Sequence, residues 1–465
     1  MLTARPDPRR GTPRLSGVDL SASGESLSYK MTVASVVLVF AMPPLMGSLG
    51  ELLHFQYSSL HTAASLYLPV LVAITGFWGR KRKRGVRLLE LKSLILLGFI
   101  CGFWLISYFY EMHSSAVVRL SDYDRKRLWF FVHGIFLCGL AGILAAQDEQ
   151  RFVRLFLRYY CFVAALSSLL YCLSYRPGEQ FQRWLGDVAL LAGLVAGFGV
   201  VSCLSVVLIE LQSGRRLSSP VLVAFMGAIG VDVAAILLSG TRGAVLCCGV
   251  GAAIFAWMMR KWRLMLPFLV IVAVLAFALV SLANIYVPEA TMSMSRLTRR
   301  EDGLDLRYDL AYTMMDIIAQ NPYGKIVGYE YTRLYMDYAH NMLLQYVGEA
   351  GLLAVPVLLV LLGGVLRNLV CFRADLHVRA LGLFLLPVFA ESFSAGAAYD
   401  PFPWFLLFFV FSLRGERRKP VPCLDPRPAA LLLETPNAPV ARRQRGIIAS
   451  AGRVPPRAGT VFDGS

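Results

Sequence analysis

Three residues stand where their chemistry has something to act on. Arg242 lies in Ser239-Gly240-Thr241-Arg242-Gly243, a stretch of small residues between two apolar runs. A guanidinium at a membrane boundary is costly unless it snorkels or meets an anion, and its planar fork places paired hydrogen bonds on a phosphate. Two readings stand for it: a snorkelling side chain bonded to helix-end carbonyls, or a phosphate ligand reached across small neighbours. His340, in Tyr338-Ala339-His340-Asn341, sits just before a further apolar run. An imidazole there can act as a general base near neutral pH, or can be a boundary residue without chemistry. Arg307 opens a segment with apolar residues at helical spacing, where it would face lipid head groups.

Asp232 and Glu391 fall inside apolar runs, which makes them functional candidates because ionisable groups are expensive in hydrocarbon. The remaining histidines (His54, His61, His113, His133 and His377) show no ligand spacing. Neither phosphate-cradling glycine motif, G-x-x-x-x-G-K-[ST] or G-x-G-x-x-G, is present, and there is no H-E-x-x-H. The expectation is a reaction with no nucleotide cofactor and no metal, driven by a bond carried in the substrate.

The elements that must position these residues follow from composition. Of 465 residues 57% are hydrophobic and 16% charged, with mean hydropathy +0.58. Soluble domains carry roughly 25% charged residues, and a soluble core could not absorb this much apolar chain. The net charge of +16 sits in short segments between apolar runs, which is a topology signal and not a nucleic-acid stripe. Of the nine cysteines, seven (Cys101, Cys138, Cys161, Cys172, Cys203, Cys247 and Cys248) lie inside apolar runs, and none forms a CxxC pair. A disulfide framework and a metal site are therefore not expected. Residues 1–29 are polar and Arg-rich, and the apolar stretch after Lys30 lacks a cleavage site, so it reads as a first span that stays.

The hydropathy pattern predicts an all-α, polytopic integral membrane protein of about twelve transmembrane helices. The segments are 31–50, 59–78, 88–110, 128–146, 154–174, 188–210, 221–238, 243–259, 264–286, 342–366, 380–396 and 402–414. The run Arg80-Lys81-Arg82-Lys83-Arg84 shares one side with Arg151, Arg154, Arg215, Arg216, Arg260, Lys261, Arg263, Arg367, Arg373 and Arg379. The positive-inside rule makes that side cytoplasmic, with both termini. The chain then divides into a cytoplasmic segment 1–29, nine spans in 30–286, an outer loop 287–341, three spans in 342–414 and a tail 415–465. The tail is rich in Pro and Arg and reads as disordered. A structureless loop as long as 287–341 is uncommon unless functional. Its stretch Leu306–Gln320 predicts an amphipathic helix on the membrane surface, closed by Asn321-Pro322-Tyr323-Gly324.

In order along the chain, these residues resemble the O-antigen ligase and polymerase superfamily. Ser239-Gly240-Thr241-Arg242-Gly243-Ala244 is similar to its Ser-x-x-Arg-Gly turn. Arg307, followed by Asn321-Pro322-Tyr323-Gly324-Lys325-Ile326-Val327-Gly328, is similar to its Arg, helix and Pro-x-x-Gly-x-Gly pattern. His340-Asn341, followed after nine residues by Gly351, is similar to the ligase signature, with Glu349 also fitting and Ala354 standing where that signature has its last glycine. The resemblance implies glycan transfer from undecaprenyl diphosphate to a sugar hydroxyl of lipid A–core, on the periplasmic face of the inner membrane. It implies Arg242 and Arg307 at the diphosphate and His340 at the hydroxyl. Asn341, Lys325 and Arg333 join Arg242 and Arg307 as candidates for binding diphosphate or glycan. Two alternatives remain. A polymerase would use the same donor with a second lipid-linked glycan as acceptor. A secondary transporter would share the span count, but no half-to-half repeat is evident.

Overall fold

The computed structural model describes residues 27–53, 59–81, 88–114, 122–174, 185–213, 218–259, 303–325, 341–371, 375–394 and 400–413. Every long regular element among them is a helix, as apolar runs without alternation require where backbone groups must bond within their own segment. The helices are α1 (Leu27–Leu53), α2 (Ser59–Lys81), α3 (Leu88–Ser114), α4 (Asp122–Phe131), α5 (Cys138–Ala145), α6 (Glu149–Ser174) and α7 (Leu185–Gln212). They continue with α8 (Ser219–Ser239), α9 (Arg242–Met259), α10 (Gly303–Gln320), α11 (Met342–Ala350), α12 (Ala354–Cys371), α13 (Leu376–Ser394) and α14 (Pro401–Phe411). The expected ninth span, 264–286, lies outside the described residues.

Seven helical stretches among the described residues are long and apolar enough to cross a membrane, and Tyr67–Gly79 and Pro401–Phe411 are shorter apolar helices. The protein is a polytopic helical membrane protein. One of the seven, Arg127–Ser174, runs for 48 residues. At 1.5 Å per residue that is about 72 Å, far beyond one ~30 Å hydrocarbon layer, so it holds the length of the two spans expected at 128–146 and 154–174. A π turn at Val132–Leu137 and a 3-10 turn at Ala146–Asp148 interrupt it. Its two halves have different partners: α5 packs on α2 and α14, while α6 packs on α1, α7 and α8.

Two expectations change. The apolar run 342–366 is not one helix. It breaks at Gly351, whose φ of +87° is closed to ordinary L-residues, giving α11 and α12. The amphipathic helix exists as α10, and part of its apolar face is spent on protein. Leu310 and Met314 are fully buried, with Ile317, Ile318 and Leu344 packed around them, so that part is covered by α11.

The centre is aromatic. α14 buries Phe402 through Val410 without a break, and Phe402 stacks on Tyr160 at 5.6 Å between centroids. Gly142 of α5 admits it, since a Cβ there would run into the Phe405 carbonyl oxygen. At 11 residues, α14 is shorter than a span and works as a core plug.

The end of the bundle predicted to be cytoplasmic is tied by polar contacts. Arg158 of α6 pairs with Glu210 of α7. Asp375 caps α13, accepting from the backbone N–H groups of His377 (2.7 Å) and Val378 (3.3 Å), and Gln150 of α6 donates to its other oxygen at 3.0 Å. Burial pushes the Asp375 carboxyl up, but the His377 side chain and the two backbone donors outweigh it and hold the pKa at about 2. A folded-state value below the unfolded one means this stabilisation is present above the ordinary carboxylate range and is lost as pH falls toward about 2. Asp375→Ala should cost about 1 kcal/mol at neutral pH. Thermal unfolding in detergent should show a deficit that narrows as the pH drops through the ordinary carboxylate range; a deficit that does not change with pH would contradict the cap.

Candidate active site at the predicted outer end

Arg242 stands at a helix reversal built from small residues. Gly240 takes a left-handed conformation (φ +62°) as the C-cap of α8, and its N–H bonds the carbonyls of Ile236 (3.1 Å) and Leu237 (3.3 Å). The Ser239 hydroxyl donates to the Ile236 carbonyl as well, at 3.0 Å. The small neighbours of Arg242 have a packing role of their own. A Cβ on Gly193 of α7 would run into the hydroxyls of Ser239 and Thr241, and one on Gly197 would lie 3.0 Å from Ala244 Cα. On the other side, buried Glu391 of α13 reaches the turn, its Cγ 3.1 Å from where a Gly243 Cβ would be.

Arg242 itself is exposed and opens α9. A cation at a helix N-terminus opposes the helix dipole, whereas an anion there is favoured by dipole and free N–H groups alike. The position therefore suits a guanidinium that shares an anion with the helix end.

The second part of the site is a seam between the turn after α10 and the end of α11. Asn321 closes α10, its side-chain amide donating to the Ile317 carbonyl at 3.0 Å. The chain then folds so that Lys325 N–H bonds the Gly348 carbonyl (2.9 Å) and Leu352 N–H bonds the Pro322 carbonyl (2.8 Å). Gly324 has φ +94°, and a Cβ on it would lie 2.5 Å from the Glu349 carbonyl oxygen and 2.7 Å from Gly351 N. Both glycines are thus required by backbone lying on backbone. Asn341 caps the far end of α11, Oδ1 accepting from Leu344 N at 2.9 Å.

Below the seam, Glu349 is fully buried. Its Oε2 accepts from Trp104 Nε1 of α3 at 2.8 Å, and its Oε1 accepts from Gln345 Nε2 at 2.9 Å. Arg127, 3% exposed, puts Nη1 4.0 Å from Oε1. Trp104 is sandwiched between Phe131 (4.0 Å between centroids, 8° interplanar) and Tyr108 (5.1 Å, 14°).

Of the residues singled out from the sequence, Arg242, Asn341 and Lys325 are placed. Arg307 falls within α10, with its side chain outside what is described, and His340 and Arg333 lie outside the described residues. α13 packs against α9 and also touches α11, so Arg242's turn and the capped helix share one wall. Of the intramembrane acids, Asp232 is fully buried in α8 and accepts from Ser168 Oγ at 2.7 Å, while Glu391 sits beside the Arg242 turn. Trp104, Arg127 and Gln345 were missed. Arg127 carries the signal that exposed Arg242, a basic residue at a span edge on the predicted outer side.

The helical bundle, with its long apolar helices, is that of a polytopic membrane protein. Residues 224–359 match the family model described as O-antigen ligase. The match runs from α8 into α12 and takes in the Arg242 turn, α10 and the seam. No curated protein and no solved structure matches the chain.

The seam makes a steric prediction. Gly324→Ala and Gly351→Ala should each cost several kcal/mol, since strain at positive φ (about 1–2 kcal/mol) adds to a backbone clash. Gly227→Ala, where a Cβ meets nothing within 4 Å, should be neutral or slightly stabilising. Unfolding midpoints of the three variants in one detergent check this; equal midpoints would contradict it.

Proposed function

We propose that the protein is a glycosyltransferase of the ligase type. It would transfer a glycan from undecaprenyl diphosphate to a sugar hydroxyl of lipid A–core, at the periplasmic face of the bacterial inner membrane. The observation that carries the reading is Arg242, an exposed guanidinium at a helix N-terminus inside the segment that matches the family.

The acceptor hydroxyl attacks the anomeric carbon of the donor sugar, and the bond to the lipid diphosphate breaks with its electron pair leaving on phosphate oxygen. A single displacement inverts that carbon. Arg242, with the first N–H groups of α9, neutralises the charge growing on the diphosphate; losing one such contact typically costs about 3–4 kcal/mol in the barrier. Arg307 is assigned to the same diphosphate. His340 takes the hydroxyl proton, a contribution of roughly 10²–10⁴-fold. Asn341, Lys325 and Arg333 are assigned to the bound diphosphate and glycan. The diphosphate bond supplies the driving force, so neither nucleotide nor metal is part of the scheme.

In a deletion host, Arg242→Ala should leave lipid A–core without long glycan while lipid-linked polymer accumulates, and Arg242→Lys should recover only part of the transfer because the paired fork is gone. His340→Ala should give the same banding as Arg242→Ala. Lipopolysaccharide gels read all three variants. Wild-type ladders for Arg242→Ala would overturn the site, and core carrying one repeat unit on deletion of the gene would mark a polymerase instead.

A further inference from the structure

We infer that Glu349 is a positioning residue: its buried carboxylate locks α11 to α3 while the main chain at 348–349 meets the Asn321–Lys325 turn, and so it holds the cap Asn341 in register for transfer. The inference rests on the transferase reading for its consequence, but its geometry stands without it.

A carboxylate with no exposed surface is an expensive choice if stability is the only purpose. Taking an ion out of water is costly, and apolar side chains of the same volume often serve as well or better. What the carboxylate adds is direction. Its two oxygens accept from two different donors, Trp104 of α3 and Gln345 one turn earlier on α11. Trp104 has no freedom to follow, because Phe131 and Tyr108 lie against its two faces. A second peg, Tyr346 OH to the Ile100 carbonyl at 2.7 Å, fixes the rotation of α11 on the same helix.

The Glu349 main chain is engaged as well. Its carbonyl oxygen is the atom against which Gly324 packs, and the neighbouring Gly348 carbonyl accepts from Lys325 N–H. One residue therefore sets α11 against α3 with its side chain and against the turn with its backbone. Asn341 lies eight positions earlier, about 12 Å along the helix, and inherits whatever shift or rotation α11 undergoes. A misplacement near 1 Å at a reacting geometry can cost on the order of 100-fold in rate.

The carboxylate also dictates the variant. Glu349→Gln keeps the shape but turns one acceptor into a donor, which then faces Trp104 N–H or the Gln345 amide. Exchanging the pair, Gln345→Glu with Glu349→Gln, restores the donor–acceptor pattern among Trp104 and positions 345 and 349, and keeps one carboxylate in the pair that Arg127 faces. Trp104 then donates to the carbonyl oxygen of the amide at position 349, and the nitrogen of that amide donates to the carboxylate moved to position 345.

The full-length protein in lipid nanodiscs is the sample, and hydrogen exchange without substrate reads position. Glu349→Gln should speed exchange in peptides covering 321–325 and 341–350 and leave 219–259 unchanged, and the exchanged pair should restore protection. With undecaprenyl-diphosphate-linked glycan as donor, Glu349→Gln should lower kcat about 10- to 100-fold with donor KM within about twofold, and the exchanged pair should recover most of it. Unchanged exchange in Glu349→Gln would overturn the positioning. Faster exchange with an unchanged kcat would overturn its link to transfer, as would an effect on KM alone. A wild-type protein inert toward the donor would instead sink the transferase reading, leaving the exchange result to decide the lock.

Discussion

The turn at 322–325 meets the end of α11 main chain on main chain. Lys325 bonds Gly348, Leu352 bonds Pro322, and two glycines at positive φ make the approach possible. Everything at this end of the bundle depends on that seam. It breaks the apolar run 342–366 into two helices, and it fixes where α10 ends. It also brings Leu310 and Met314 of α10 onto α11. Buried backbone groups must be satisfied, and here each side of the seam satisfies the other.

Charge is placed around this seam with different purposes at different depths. Glu349 and Arg127 are buried together, where an ion pair tends to specify geometry more than it stabilises. Arg242 is exposed, at a helix end whose dipole is better matched by an anion than by a cation. α13 lies against both regions, bringing Glu391 beside the Arg242 turn. On the proposed reading, an exposed cation held on packed helices suits a large lipid-borne anion, since a preorganised site avoids reorganisation when charge develops.

Much of the fold was legible because lipid leaves few options. The described apolar runs become helices in the expected order, with 342–366 divided in two, and Gly240 and Asn341 stand at helix ends as their chemistry implies. Arg242 was found because it breaks the charge asymmetry of its neighbours. Arg127 breaks the same rule, but its burial cannot be read from one residue. Trp104 and Gln345 look like ordinary residues of apolar helices; only the packing of α3 against α11 brings them to Glu349. The break at Gly351 was hidden because hydropathy averages across it, and a glycine among leucines reads as continuation. α10 shows the related limit: periodicity gives an apolar face but not what covers it.

The proposed transfer turns on Arg242 holding the diphosphate of a lipid carrier. Native mass spectrometry of the full-length protein titrated with undecaprenyl diphosphate tests it most directly, comparing wild type with Arg242→Gln. A loss of a charge-assisted phosphate contact should weaken binding about 10-fold or more in the variant. Equal affinity of the two proteins for the lipid would contradict the account.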